Sequence, residues 1–184
     1  MRLFTGIDVP DDVAFNLERL IDYLRPSAQI RWMPTYNLHV TIKFIGERPD
    51  EDIEKIKSAL SAIAPPRPFR IEISELGWFP NPSSPRVLWA GVKAGEELER
   101  LFHEQERVLE PLGIAREKRP FQPHLTLARI KTPVPLEPLR EAIAELKSLH
   151  FGCFTARAFH LYSSKLGPAG SIYTRLADFP FQES

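Results

Sequence analysis

The sequence predicts an α+β fold built twice over, and three observations carry that prediction. Strand patterns alternate with helical ones along all 184 residues. A second set of these patterns repeats the first at an offset of 85 positions, and both sets contain one signature, His39-Val40-Thr41-Ile42 and His124-Leu125-Thr126-Leu127.

The elements follow in order. Leu3-Phe4-Thr5-Gly6-Ile7 reads as a strand, and Asp11 begins a helix with Val13, Leu17, Leu20, Ile21 and Leu24 on one stripe, closed by Pro26. Residues 38–45 form a strand that carries the first signature and stops at Gly46. Pro49-Asp50 opens a helix with Ile53, Ile56, Leu60 and Ile63 on one face, ended by the proline-rich run 64–68. Residues 69–76 alternate apolar and polar, 81–85 make a turn, and 87–92 return as a strand.

Shifted by 85, the first strand falls on Leu88-Trp89-Ala90-Gly91-Val92, glycine on glycine. Val13, Leu17 and Leu24 fall on Leu98, Phe102 and Leu109; Phe69 and Leu76 on Phe154 and Leu161; Val87 on Ile172. The second helix needs an offset of 83, matching Leu136, Leu139, Ile143 and Leu146. The expectation is two strand-helix-strand-helix-strand units and a last strand at 171–177, packed about an approximate two-fold axis that brings His39 to His124.

Composition sets the bounds. With 43% hydrophobic and 26% charged residues the chain has the makings of an ordinary packed core. Its apolar runs fall short of the roughly 20 residues that cross a bilayer. The opening residues read as a strand rather than a signal peptide, so the expected location is cytoplasmic, without a membrane partner. Lysine plus arginine equals aspartate plus glutamate at 24 each, leaving no global field for duplex DNA. A nucleic-acid partner should be short or gripped locally, and the basic run 116–119 with Arg129 and Lys131 offers either a local anion site or a solvated loop. Cys153, the single cysteine, reads as a small packing residue, and His103, His150 at a helix end, and His160 read as structural or solvent-facing.

The two signatures carry the chemistry. Successive strand residues point to opposite faces, so each copy presents one imidazole and one hydroxyl to a common surface. Packing could be served by many residue types, whereas matched His-x-Thr patterns in a duplicated unit suit paired general acid and base catalysis with hydroxyls on an oxyanion. Two histidines without clustered cysteines or carboxylates make a poor zinc site, and no nucleotide-binding glycine loop or serine elbow is present. A cofactor-free site for displacement at phosphorus remains.

Arg31-Trp32-Met33-Pro34, residues 37–47 around the first signature and 119–129 around the second resemble the 2H phosphoesterase superfamily. Within it they resemble the RNA 2′,3′-cyclic phosphodiesterases, also described as 2′-5′ RNA ligase-like proteins. The likeness extends through 161–167 and 173–179. It implies one domain over 1–184 with two lobes, two antiparallel sheets and outer helices around a pseudo-two-fold cleft. It also implies hydrolysis of an RNA-terminal or nucleoside 2′,3′-cyclic phosphate to a 2′-phosphate without metal, and at the same site a 5′-hydroxyl in place of water would make a 2′-5′ linkage. His39 would be the proton donor to O3′, His124 the acceptor from water, with Thr41 and Thr126 on non-bridging oxygens.

The resemblance places Arg129 on the phosphate. Strand parity objects, since a regular strand turns Arg129 away from His124 and Thr126 unless it ends or bulges near Ala128; Lys43, with the right parity beside His39, is the alternative cation. Phe44, Trp32 and Phe121 are candidate stacking surfaces for a base. Two other readings stay open: a 2H esterase acting on a different phosphoester, and a non-catalytic nucleotide or RNA-end binding module. A scaffold has only composition in its favour, and a monomer is the default.

Overall fold

The computed structural model describes residues 1–183. β1 (Arg2–Asp8) leads to α1 (Asp11–Leu24), and the short β2 (Arg31–Trp32) precedes β3 (His39–Glu47), α2 (Ile53–Ser61) and β4 (Phe69–Phe79). β5 (Val87–Lys93), α3 (Gly95–Leu109), β6 (His124–Arg129) and α4 (Glu137–Ala144) repeat the order, and β7 (His150–Ala156), β8 (Ala158–Gly167) and β9 (Gly170–Pro180) complete it. At the offset of 85, β1 coincides with β5.

Local chemistry explains these elements. Asp11 and Asp12 occupy the first turn of α1, where the helix dipole favours negative charge, and its predicted stripe of Val13, Leu17, Leu20, Ile21 and Leu24 is buried. In α3, Leu98, Leu101, Phe102 and Leu109 are buried in the same way. These stripes and the inner faces of the strands form one continuous apolar cluster.

The strands make two antiparallel sheets, in the orders β3-β1-β8-β9 and β2-β6-β5-β4-β7. Here the structure corrects the sequence-based units. Phe154 and Leu161, matched above to the two ends of one strand, lie in separate strands, β7 and β8. The third strand of each unit also leaves its own sheet. β4 pairs with β5 in the second sheet, and β8 pairs with β1 in the first, so each sheet contains strands from both halves of the chain. His150 opens β7 and does not end a helix.

β3 and β6 lie side by side where the sheets meet. β2 extends the second sheet there, with Arg31 opposite Arg129 and Trp32 opposite Ala128, and the Met33 amide donates to Leu127 O at 2.8 Å. No helix of the described residues is long and apolar enough to cross a membrane.

Candidate active site

One irregularity, present in both signature strands, decides which side chains share a surface. Against β1, Thr5 faces Lys43 and the next residue, Gly6, faces Thr41, leaving Ile42 as the extra residue of a β-bulge. Against β5, Leu88 faces Ala128 and Trp89 faces Thr126, leaving Leu127 extra. Ile42 and Leu127 are equivalent at the offset of 85. Each bulge puts two consecutive residues on the core side, Ile42 with Lys43 and Leu127 with Ala128, and so reverses the parity beyond.

Arg129 therefore returns to the face of His124 and Thr126, which removes the parity objection. The same bulge overturns the expectation for Lys43. Its side chain, 3% exposed, turns inward to place Nζ 2.5 Å from Glu106 Oε2 and 3.0 Å from Ala115 O. Phe44 takes the position equivalent to Arg129 and stands 58% exposed beside the first signature. Trp32 is buried, its indole donating to Ala28 O at 3.3 Å, so it belongs to the core. Phe121 is half-buried and stacked on Phe102 at 4.5 Å, which occupies one face of its ring.

Both imidazoles are held by one device. The Nδ1 of His39 lies 2.7 Å from Asn37 O, and that of His124 lies 2.8 Å from Gln122 O. A carbonyl only accepts, so Nδ1 carries the proton in each ring and Nε2 is left for chemistry. At His39, Thr41 Oγ1 lies 2.7 Å from Nε2 and donates to it in the neutral ring. Phe4 stacks on His39 at 4.8 Å, Tyr173 meets its edge at 5.3 Å, and Phe79 meets the edge of His124 at 4.8 Å. Gly6 admits this packing, since a Cβ there would lie 3.3 Å from His39 Cδ2 and 3.0 Å from Val40 O.

Burial is the main influence on both rings and lowers the pKa of each below the ordinary histidine value. The backbone hydrogen bonds oppose that shift, and the charge of Arg129 adds to it at both rings; His124 also depresses His39, as two rings sharing one electrostatic environment must. Only His39 has a carboxylate raising its pKa, that of Asp8. Asp8 faces His39 across the β1–β3 pair, whereas Gly91 faces His124 across the β5–β6 pair. Tyr173 is pushed up by burial, against the pull of Arg129 and Arg2.

Beside His39 a cleft of about 540 Å³ is lined by Asp8, Tyr36, Asn37, Tyr162, Tyr173 and Arg175. Tyr162 and Arg175 both donate to Asp8, and His160 pairs with Asp178 at 2.8 Å, placing His160 behind the site as a structural group. His103 sits on the surface near Glu99. Among the described residues, no group of three or more metal-ligating side chains includes His39 or His124.

Sequence reasoning missed Phe4, Asp8, Phe79, Tyr162 and Tyr173 as neighbours of the histidines. The repeat did hold one signal: Phe4 and Trp89 are equivalent aromatics on the strands beside the two signatures. Tyr162 and Tyr173 arrive only because β8 and β9 join the first sheet, which no local pattern reveals.

Comparison with known proteins agrees with this geometry. The model of the family described as LigT like Phosphoesterase matches twice, over residues 7–89 and 92–173. The chain is 36% identical over 179 residues to the RNA 2′,3′-cyclic phosphodiesterase of Archaeoglobus fulgidus, covering 97% of this chain and 99% of that protein. It is 35% identical over 173 residues to a protein of the same name from Methanocaldococcus jannaschii, covering 94% and 96%. The crystal structure of TT0787 of Thermus thermophilus matches with a TM-score of 0.83 and 32% identity over 98% of each chain. A family unit found twice, each time around one histidine strand, accounts for both the repeat and the paired rings, and the chain belongs to the LigT-like phosphoesterases of the 2H superfamily.

Proposed function

We propose that this protein hydrolyses the 2′,3′-cyclic phosphate at an RNA end, or on a nucleoside, to a 2′-phosphomonoester. The observation that carries this reading is the matched pair of imidazoles. Each is locked through Nδ1 with its Nε2 unclaimed by any backbone group, and one cation, Arg129, influences both. Relatives that bear the name RNA 2′,3′-cyclic phosphodiesterase over nearly the whole chain support the substrate class.

In this scheme neutral His124 takes a proton through Nε2 from a water molecule whose oxygen bonds to phosphorus. Protonated His39 gives its Nε2 proton to O3′ as the P–O3′ bond breaks, leaving the phosphate on O2′. Thr41, Thr126 and the Arg129 guanidinium hold the non-bridging oxygens as charge builds on them. Asp8 supports the assignment of acid to His39, because its carboxylate faces that ring from β1 and favours the imidazolium, whereas the residue that faces His124 from β5 is the uncharged Gly91. Phe44, exposed on the same face, is positioned to stack on a base. With a 5′-hydroxyl in place of water, the same steps join RNA ends through a 2′-5′ bond, O3′ again leaving with the proton from His39.

The test is to incubate the protein with an oligoribonucleotide ending in a 2′,3′-cyclic phosphate, with EDTA present, and assign the product by phosphorus NMR. A 2′-phosphate is expected. A 3′-phosphate, or no turnover without added metal, would overturn the scheme.

A further inference from the structure

Away from the paired histidines, one cluster among the described residues joins three kinds of metal-ligating side chain: Glu72, His150 and Cys153, whose ligand atoms all lie within 4.8 Å of one another. It lies at the outer edge of the second sheet, where β4 pairs with β7 and Glu72 faces Cys153 directly. β7 stands three strands from β6, about 14 Å across the sheet.

His150 and Cys153 are three positions apart and would face opposite ways in a regular strand. A bulge prevents this: Ile73 faces Gly152 and Ser74 faces His150, so Phe151 is the extra residue. Gly152 takes φ +142, and a Cβ there would lie 2.9 Å from Val13 Cγ2. The bulge brings the imidazole to the sulfur, with Cys153 Sγ 3.5 Å from His150 Nε2, and the same nitrogen lies 3.3 Å from Glu72 Oε1.

These distances distinguish two arrangements. In a Cys-His-Glu proton relay the sulfur and the carboxylate engage different ring nitrogens. Here both converge on Nε2. Tetrahedral zinc bonds of about 2.3 Å to sulfur, 2.0–2.1 Å to imidazole and 2.0–2.2 Å to carboxylate imply edges of about 3.6 Å for S···N and about 3.4 Å for N···O. The two spacings from Nε2, 3.5 Å to the sulfur and 3.3 Å to the carboxylate oxygen, match those edges.

Two of the three ligands also have outer partners that leave the ligating atom facing inward. Ser74 Oγ donates to Glu72 Oε2 at 3.2 Å and Lys93 Nζ lies 3.8 Å from it, so Oε1 is left for an ion. Arg70 donates to Cys153 Sγ at 2.9 Å, the position of a donor to a ligated sulfur.

We propose that Glu72, His150 and Cys153 form a second site, separate from the phosphoesterase centre, that binds a zinc-class divalent cation with water as the fourth ligand and ties β7 to β4. Ligation releases the thiol proton, and no electron transfer is involved. The nearby positive charges of Arg70 and Lys93 weaken the site's hold on a cation.

The test uses the whole protein, stripped with EDTA, dialysed and titrated with Co²⁺. One equivalent should bind, giving a thiolate-to-cobalt charge-transfer band and the strong visible bands of a four-coordinate ion, both removed by Zn²⁺. Zn²⁺ at a hundredfold excess over its Kd should raise Tm by roughly 5–10 °C. Cys153→Ser should abolish the charge-transfer band, and His150→Gln should weaken binding more than about tenfold. Circular dichroism would verify that both variants fold, and both sites are on the sheet surface rather than in the core. The proposal is overturned by absence of saturable Co²⁺ uptake in the micromolar range, by an unchanged spectrum in Cys153→Ser, or by a spectrum lost in His39→Ala or His124→Ala instead. None of these readouts depends on the hydrolytic reaction.

Discussion

The half of the site around His39 and the half around His124 share a bulge, a locked imidazole and a threonine, yet differ at two equivalent positions. Where the first half has Phe44 the second has Arg129, and where Asp8 faces His39 from β1, Gly91 faces His124 from β5. In the proposed reaction the shared features frame one phosphate from two sides. The two differences break the symmetry, placing the cation on one side, an exposed aromatic on the other, and a carboxylate beside one imidazole only. Equivalent residues can thus hold unequal roles because their neighbours differ.

Among the residues that differ between the two halves, the largest expected effect comes from the first difference. Arg129→Ala should lower kcat/KM for a cyclic phosphate by about 10²-fold or more, as loss of a preorganised oxyanion contact does. Phe44→Ala should cost only about threefold to tenfold, mostly in KM, as loss of base stacking does. Similar losses from both, in steady-state kinetics, would mean that the equivalent positions act alike.

The next contrast concerns the glycines beside the signatures. A Cβ on Gly91 would lie 2.4 Å from the backbone oxygen of Ser74, whereas one on Gly6 would lie 3.0 Å from Val40 O. Gly91→Ala should therefore destabilise by about 1–3 kcal/mol and Gly6→Ala by about 1 kcal/mol or less, read from urea midpoints. Equal shifts would show that the strands relax equally.

The smallest effect is in pH dependence. His124 acts when neutral, so activity rises as pH passes its pKa; His39 acts when protonated, so activity falls as pH passes its own. Burial places both below the ordinary value of 6.5, and the kcat/KM maximum should lie acid of that value. Asp8→Asn removes the charge that raises His39, so the alkaline limb should move to lower pH while the acid limb stays. Movement of the acid limb instead would assign Asp8 to the other ring.

Much of this was legible in residues. The strands beginning near Leu3, Leu38, Phe69 and Val87 and the stripe of α1 follow from periodicity, and the repeat announces the paired signatures. Parity favoured Lys43 over Arg129 and misled, because a bulge adds a residue without any composition signal: Ile42-Lys43 and Leu127-Ala128 look like ordinary strand. Lys43 shows the consequence, since a lysine that reads as surface is paired inside with Glu106 from α3. Tyr173 was out of reach for another reason, as its place beside His39 depends on long-range strand pairing that loop lengths do not dictate.

Unequal roles for equivalent histidines are tested most directly with a substrate whose leaving group needs no proton, a 3′-deoxynucleoside 2′-(4-nitrophenyl phosphate). On a 2′,3′-cyclic phosphate, His39→Ala and His124→Ala should each lose about 10²–10⁴-fold in kcat. On the nitrophenyl ester, His39→Ala should recover to within about tenfold of the unaltered protein, because nitrophenolate leaves unaided, while His124→Ala should stay impaired for want of a base. Recovery of His124→Ala with continued loss in His39→Ala would contradict the account and reverse the two roles.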